Sequence, residues 1–349
     1  MLNLGVEYAW LDVLCLRQRG GPREDLRVEE WKLDVPTIGA IYQDADVVCY
    51  LSGLGLPLRL KEGDLESDRS WFRHAWSLQE IGYSRMIAGD TPDGPLHAKP
   101  IDNAGNYEDE ILTKFHRQLE SMDSEFSQFK LYGTLSAMQD RISTYPIDKV
   151  AGLAYSLGTH SIPAYYESQS PEDVWTALIN EMDVLNRGIL FFTYPEPGTG
   201  FKKWRPSWEQ VMTKSLPKGI NGSPGLPYVK RDDDGHDWCE GLCIKRGFVR
   251  GLAVGGEEGI DRCGELVVKD RDGMTHAFHI TASHQYPIPE DTYTLLRSYA
   301  FEPPQYWVVG RQLPRKRFEK VSVFTMTGID EIKRLMELDL SVVSRSILA

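Results

Sequence analysis

The sequence has little cysteine, no long apolar run and no recognisable export signal. Five scattered cysteines among 349 residues, an odd number, argue against a disulfide framework and favour a reducing compartment. No apolar stretch approaches the roughly 20 residues that a bilayer-spanning helix needs. The N-terminal residues lack the basic start and the small-residue cleavage site of a signal peptide. We therefore expect a cytoplasmic protein without a membrane span.

Positive charge is also in deficit. The 39 lysine and arginine residues are outnumbered by 51 aspartate and glutamate residues, so the formal net charge is -12. Such a surface repels nucleic acid and anionic membranes, and we expect no nucleic-acid partner. The basic run Arg311–Lys320 is a local exception. It lies between two strand-like segments and is predicted to be a charged hairpin loop.

Several motifs that would identify a chemistry are absent. There is no dinucleotide-binding GxGxxG, no phosphate-binding loop with its lysine and no GxSxG nucleophile elbow. The stretch Ser52–Gly55 follows a predicted strand but leads into Leu-Pro-Leu rather than a helix. Cys239 and Cys243 have a spacing that zinc sites permit, but on a strand they would lie about 13 Å apart. We expect no metal site and no resident cofactor.

The first part of the chain alternates between strand-like and helix-like segments. Residues 6–16 and 45–53 are rich in aromatic and branched side chains and are predicted to be buried strands. Asp34 can cap a helix that has Pro36 in its first turn, and residues 70–82 are predicted to form a second helix. Strand, helix, strand and helix with short connections favour an α/β layer with a parallel sheet.

The rest of the chain changes from a helical to a strand-rich pattern. Residues 104–160 are predicted to be mainly helical, and Ser170-Pro171 followed by acidic residues is a favourable helix start. The apolar run 189–194 is predicted to be a buried strand. After residue 227 the alternation and the turns are typical of antiparallel hairpins, with a short helix over Ile329–Leu338.

These patterns divide the chain into three predicted parts. Its length is sufficient for two or three domains with substantial cores. We expect an α/β domain over residues 1–160, a helical extension packed on it over residues 161–200, and a β-rich C-terminal region over residues 201–349.

The most informative stretch of the chain is Ser70–Glu80. At about 100° per residue, one side of the predicted helix is a packing face, made of Trp71, Ala75, Leu78 and Gly82. The opposite side presents a guanidinium, an indole, a hydroxyl and a carboxylate, from Arg73, Trp76, Ser77 and Glu80. This second face is either an ordinary solvated surface, which is the norm for charged residues, or the lining of a cleft.

Asp12 and Cys15 lie toward the end of the first predicted strand. Polar residues at the carboxyl end of a parallel strand commonly line a ligand crevice, whereas a cysteine there is more often a small buried residue. A buried Asp12 needs a partner, and Arg73 is a candidate. Asp12 is therefore a candidate substrate-binding residue.

Four ordered blocks of the sequence resemble signatures of the fungal heterokaryon-incompatibility (HET) domain. They are YAWLDVLCLRQ at 8–18, IGAIYQDADVVCYLSG at 38–53, R-x-x-W-x-L-Q-E at 73–80 and DRISTYPIDKVAGLAYSLG at 140–158. The resemblance extends over about residues 6–185. It implies a TIR-like, flavodoxin-like domain and a role in fungal nonself recognition that ends in programmed cell death.

The resemblance also implies a chemistry. Some TIR domains cleave NAD between nicotinamide and ribose, using a glutamate that lies on a helix in a W-x-x-x-E pattern. Trp76 and Glu80 match that spacing, so Glu80 would be the catalytic carboxylate and NAD the substrate. A carboxylate stabilises the oxocarbenium-like ribose that forms when nicotinamide leaves, and Trp76 would stack on a ring. Arg73 and Ser77 would support the substrate on geometric grounds.

The resemblance is incomplete at the N-terminus. HET domains normally have a further strand and helix before the block that begins here at Tyr8, so we expect those two elements to be missing. The chain is then an NAD-hydrolysing effector, a non-catalytic module that acts through protein partners or self-association, or an inactive remnant. The first two differ in whether Glu80 lies in a concave pocket near Asp12 or on a convex surface.

Overall fold

The computed structural model describes residues 7–80, 85–125, 131–159, 161–218, 225–299 and 303–349. The chain divides into two compact units. Unit 1 comprises Met1–Phe126 and Asp140–Glu181, and unit 2 comprises Ser127–Gln139 and Met182–Ala349. The predicted domain boundaries at residues 160 and 200 stay predictions.

Helices occur in both units. In chain order they are α1 (Asp12–Cys15), α2 (Arg27–Asp34), α3 (Ile38–Asp44), α4 (Glu110–Glu125), α5 (Leu131–Gln139), α6 (Asp148–Ala151), α7 (Pro171–Glu181), α8 (Val184–Thr193), α9 (Trp208–Thr213) and α10 (Ile329–Glu337). The helices predicted within residues 104–160, at Pro171 and at Ile329 are confirmed. Within the described ranges, none of the helices has both the length and the apolar composition to span a bilayer.

Unit 1 contains a small parallel sheet. Its strands β1 (Val47–Cys49) and β2 (Arg85–Ile87) pair with Val47 opposite Arg85. The second predicted strand is thus confirmed in its central residues, and α3 precedes it after a 3-10 turn over Val35–Thr37 that contains Pro36. The described residues of unit 1 do not extend this pair into the larger parallel sheet of a TIR-like or flavodoxin-like fold.

The first predicted strand is wrong. Of the segment 6–16, residue 6 lies outside the described residues, and the rest contains the short helix α1, closed by a hydrogen bond from the Leu16 N–H to the Asp12 carbonyl at 2.8 Å. The aromatic and branched composition predicted burial, but the side chains of Tyr8 and Leu14 are 88% and 80% exposed. None of the described strands pairs with this segment, and its backbone forms local helical hydrogen bonds instead.

The helix predicted over residues 70–82 is also wrong. The chain forms two separate 3-10 turns, Trp71–Arg73 and Trp76–Leu78, and Gly82 lies outside the described residues. Between the turns, His74 is extended and pairs with Ile142, to whose carbonyl the Ala75 N–H donates at 2.9 Å. This pairing with a distant segment replaces the hydrogen bonds that a continuous helix would make.

The strand predicted over residues 189–194 is instead part of α8. Asp183 caps this helix, because its carboxylate accepts hydrogen bonds from the N–H groups of Leu185 and Asn186. The residues from Ile189 to Thr193 are all buried. A helix that is apolar on every side gives the same sequence pattern as a buried strand.

Unit 2 is built on an eight-stranded sheet. Its strands are β3 (Val229–Arg231), β4 (Asp237–Arg250), β5 (Arg262–Lys269), β6 (Thr275–Ala282), β7 (Asp291–Arg297), β8 (Gln305–Leu313), β9 (Arg317–Met326) and β10 (Val342–Leu348). The antiparallel pairs β5–β6 and β8–β9 confirm the predicted hairpins. The basic run Arg311–Lys320 covers the ends of β8 and β9 and the turn Pro314–Lys316 between them.

The sheet of unit 2 closes on itself because β4 pairs with both β5 and β7. A bulge between Ile244 and Gly247 lets this 14-residue strand change direction between its two halves. The enclosed core is apolar and includes Phe278, Leu295 and Phe324, and α10 covers it with Ile332 and Leu335.

Candidate functional site

Glu80 lies just after the second 3-10 turn of unit 1. Its N–H donates to the Trp76 carbonyl at 3.2 Å, and its carboxylate accepts a hydrogen bond from the Trp71 indole N–H at 2.5 Å. Burial raises the pKa of Glu80 from 4.5 to about 7, the Trp71 hydrogen bond opposes this rise, and the charge of Asp12 adds to it. A carboxyl group with this pKa changes charge near neutral pH, as groups in catalytic sites often do.

Among the described residues, Trp71 donates a hydrogen bond to Glu80, and Asp12, Tyr42 and Cys49 interact with it electrostatically. We call these five residues the Glu80 cluster: Glu80, Trp71, Asp12, Tyr42 and Cys49. Burial, followed by the charges of Glu80 and Asp12, raises the pKa of Tyr42. Burial and the Glu80 charge raise the pKa of the Cys49 thiol to about 11. The cluster therefore joins the segment Trp71–Glu80 to α1, α3 and β1.

The contact between α1 and α3 is aromatic. The rings of Trp10 and Tyr42 meet edge to face with their centres 5.4 Å apart, which is a favourable geometry for such pairs. Cys15 is exposed at the end of α1 and also acts on the pKa of Tyr42. The sequence pointed to Asp12 and Glu80, but it assigned neither Tyr42 nor Cys49 to the site.

Trp76 faces a different network from Glu80. Its indole hydrogen-bonds to the Asp148 carboxylate, and its ring lies 6.5 Å from the ring of Tyr165. Asp148 also accepts a hydrogen bond from the Tyr165 hydroxyl at 2.6 Å and one from the Tyr145 N–H at 3.2 Å. The common face predicted for Trp76 and Glu80 is therefore wrong, because it depended on a continuous helix.

Arg73 and Ser77 leave the predicted face as well. The Arg73 guanidinium donates to the Glu66 carbonyl at 2.5 Å and forms an ion pair with Asp68 at 3.1 Å. It is not the partner of Asp12. Ser77 is fully buried, and its hydroxyl donates to the His74 carbonyl at 2.6 Å. Both residues stabilise the backbone around the two 3-10 turns.

A groove of about 610 Å³ lies on unit 1 beside this segment. We call it the 51–72 groove, since residues between Leu51 and Phe72 line it. Trp71 belongs both to the Glu80 cluster and to the groove, because its indole N–H donates to Glu80 and it is one of the residues that line the groove. The volume is within the range of sites for small molecules.

Among the described residues, Cys239 and Cys243 do not belong to any group of side chains that could hold a metal ion. Cys239 and Cys243 are buried thiols on β4. In the turn before β4, Asp232, Asp234 and His236 have ligand atoms within 4.8 Å of one another. Hydrogen bonds within the turn, such as that from the His236 N–H to Asp232 at 2.8 Å, account for this arrangement, and we assign no metal to it.

Comparison of the chain with protein-family models, with curated proteins and with solved structures finds no match.

Proposed function

We propose that the chain is a HET-type protein of fungal nonself recognition and that unit 1 hydrolyses NAD. The proposal rests on the four sequence blocks and on one observation, the Glu80 carboxylate held by Trp71 next to Asp12. A TIR-like origin of this site and a cytoplasmic location belong to the same proposal. NAD is its substrate, and no resident cofactor is needed for this reaction.

The proposed reaction consumes one water and releases nicotinamide, ADP-ribose and a proton. The bond between the ribose and the nicotinamide nitrogen breaks, and its electron pair leaves with nicotinamide. The ribose then carries positive charge, which a nearby carboxylate stabilises. The ionised Glu80 carboxylate supplies the negative charge that stabilises the ribose, and the nearby charge of Asp12 makes the potential at Glu80 more negative. Water adds to the ribose carbon and loses its proton.

The rate of nicotinamide release should therefore increase with pH. The ionised form of Glu80 is the active one, and its pKa is about 7, so we expect a rate near its maximum at pH 8.5 and about tenfold lower near pH 6. Because the Asp12 charge raises the pKa of Glu80, Asp12→Asn should move the midpoint to lower pH. Nicotinamide release measured between pH 5 and pH 9 tests this, and a rate that is constant over the whole range would contradict it.

A second candidate function is a non-catalytic module that binds protein partners or a second copy of the chain. The individually exposed apolar side chains of Tyr8, Leu11 and Leu14 favour it, since a contiguous patch of such side chains would be typical of an interaction surface. This module would release no nicotinamide at any protein concentration. An inactive remnant would neither release nicotinamide nor self-associate.

A further inference from the structure

The 51–72 groove carries positive charge in an acidic protein. Arg59, Lys61 and Arg69 line it, all three are exposed, and none forms an ion pair with another described residue. The acidic residue in the lining is Asp64, whose carboxylate accepts a hydrogen bond from the Lys61 N–H at 2.9 Å. The lining therefore has an excess of cations, although the whole chain has a net charge of -12.

Two acidic side chains that neighbour the lining already have basic partners. Glu66 is paired with Lys114 at 3.0 Å, and Asp68 is paired with Arg73 at 3.1 Å. Each of these carboxylates already has its own basic partner. Unpaired cations around a concave surface attract anions from solution, and a groove strengthens that field.

The groove also has a fixed aromatic wall. The rings of Trp71 and Phe72 lie 5.4 Å apart in an edge-to-face contact, and Phe72 packs against the fully buried Phe115 at 6.3 Å. Another loop of the lining is held by Ser52, whose hydroxyl donates to the Arg59 carbonyl and accepts from the Arg59 N–H, both at 3.0 Å. Both parts of the lining are thus held by contacts within unit 1.

We infer that the 51–72 groove binds a phosphorylated small molecule with a ring system. Arginine and lysine are the side chains that recognise phosphate oxygens, and an aromatic wall accepts a planar ring by stacking. The volume of about 610 Å³ accommodates a nucleotide-sized molecule. Nothing in this step depends on Glu80 or on NAD hydrolysis.

Trp71 connects this groove to Glu80, and this part of the inference rests on the proposed function. Trp71 is one of the residues that line the groove, and its indole N–H donates to the Glu80 carboxylate. This hydrogen bond opposes the rise in the pKa of Glu80, so loss of the donor raises that pKa further. Trp71 is therefore a positioning residue for Glu80, and we expect Trp71→Phe to move the pH midpoint of nicotinamide release upward.

Calorimetric titration of the full chain with inorganic pyrophosphate and with ADP tests the binding step. The triple variant R59E/K61E/R69E should weaken the binding of both probes at least tenfold. The matched control is R315E/K316E/R317E, which makes the same change in net charge at exposed positions of the hairpin in unit 2. The control should bind both probes within twofold of the wild-type affinity.

The outcomes separate this inference from the proposed function. Tighter binding of ADP than of pyrophosphate supports the aromatic wall, and equal loss of binding in both triple variants overturns the groove as the site. Absence of binding in the wild-type protein also overturns it. If ADP binds the groove but no NAD is consumed, the inference about the groove holds and the proposed hydrolysis fails. Circular dichroism of each variant checks that it is folded.

Discussion

Replacing Glu80 with glutamine should stabilise unit 1 at alkaline pH. The pKa of Glu80 is about 7 in the folded protein against 4.5 as its ordinary value. Because burial disfavours the charged form of Glu80, the folded protein loses stability as the pH rises from about 4.5 to 7. This difference in pKa corresponds to about 3 kcal/mol. Glutamine keeps an acceptor for the Trp71 N–H and has no charge to bury.

The measurement is denaturant unfolding of wild type and Glu80→Gln at pH 5 and at pH 8. We expect the free energy of unfolding of Glu80→Gln, minus that of wild type, to be about 2–3 kcal/mol larger at pH 8 than at pH 5. The exposed Glu108 provides a control, because Glu108→Gln should show no such change between the two pH values. An equal difference at both pH values would mean that burial does not disfavour the charged form of Glu80. Stability lost to a functional carboxylate is a common compromise in active sites.

Removing the Asp148 carboxylate should strongly destabilise unit 1. Asp148 is 5% exposed and accepts hydrogen bonds from Tyr165, Tyr145 and Trp76. Asp148→Ala removes the buried acceptor of all three hydrogen-bond donors. We expect the free energy of unfolding to fall by about 3–5 kcal/mol.

Thermal and denaturant unfolding of Asp148→Ala measure this loss. Asp148→Asn retains a carbonyl oxygen for one of the donors, so its loss should be smaller. The exposed Asp140 serves as the matched control, and Asp140→Ala should change stability by less than about 0.5 kcal/mol. Similar stability of the Asp148 and Asp140 alanine variants would contradict the network. The same network fixes the turn Trp76–Leu78, which leads directly to Glu80.

The strand-rich half of the fold could be predicted from the sequence because its signals are local. Alternating side chains and glycine-containing turns predict hairpins such as β5–β6 without reference to distant residues. The helix α7 was predicted for the same reason, from its proline and the acidic residues of its first turn. Short apolar runs are different, because the run in α8 has no periodicity that separates a buried helix from a buried strand.

The candidate site could be predicted only in part. Glu80 and Asp12 were selected from the sequence, and they interact in the structure. The orientation of Trp76, Ser77 and Arg73 could not be predicted, because the pairing of His74 with Ile142 breaks the expected helix. This contact joins residues 68 positions apart, and no pattern within the segment indicates it. The 51–72 groove has the same origin, since its shape depends on loops rather than on regular elements.

The central claim is that Glu80 catalyses the cleavage of NAD. The most direct test is chromatographic measurement of nicotinamide released from NAD by the full chain at pH 8, over a range of protein concentrations. The wild-type protein should release nicotinamide and ADP-ribose in equal amounts, and Glu80→Gln should reduce the rate at least a hundredfold while remaining folded. A rate that increases more than in proportion to protein concentration would indicate activation by self-association. No release by folded wild-type protein at any concentration, or equal rates for the two proteins, would contradict the claim.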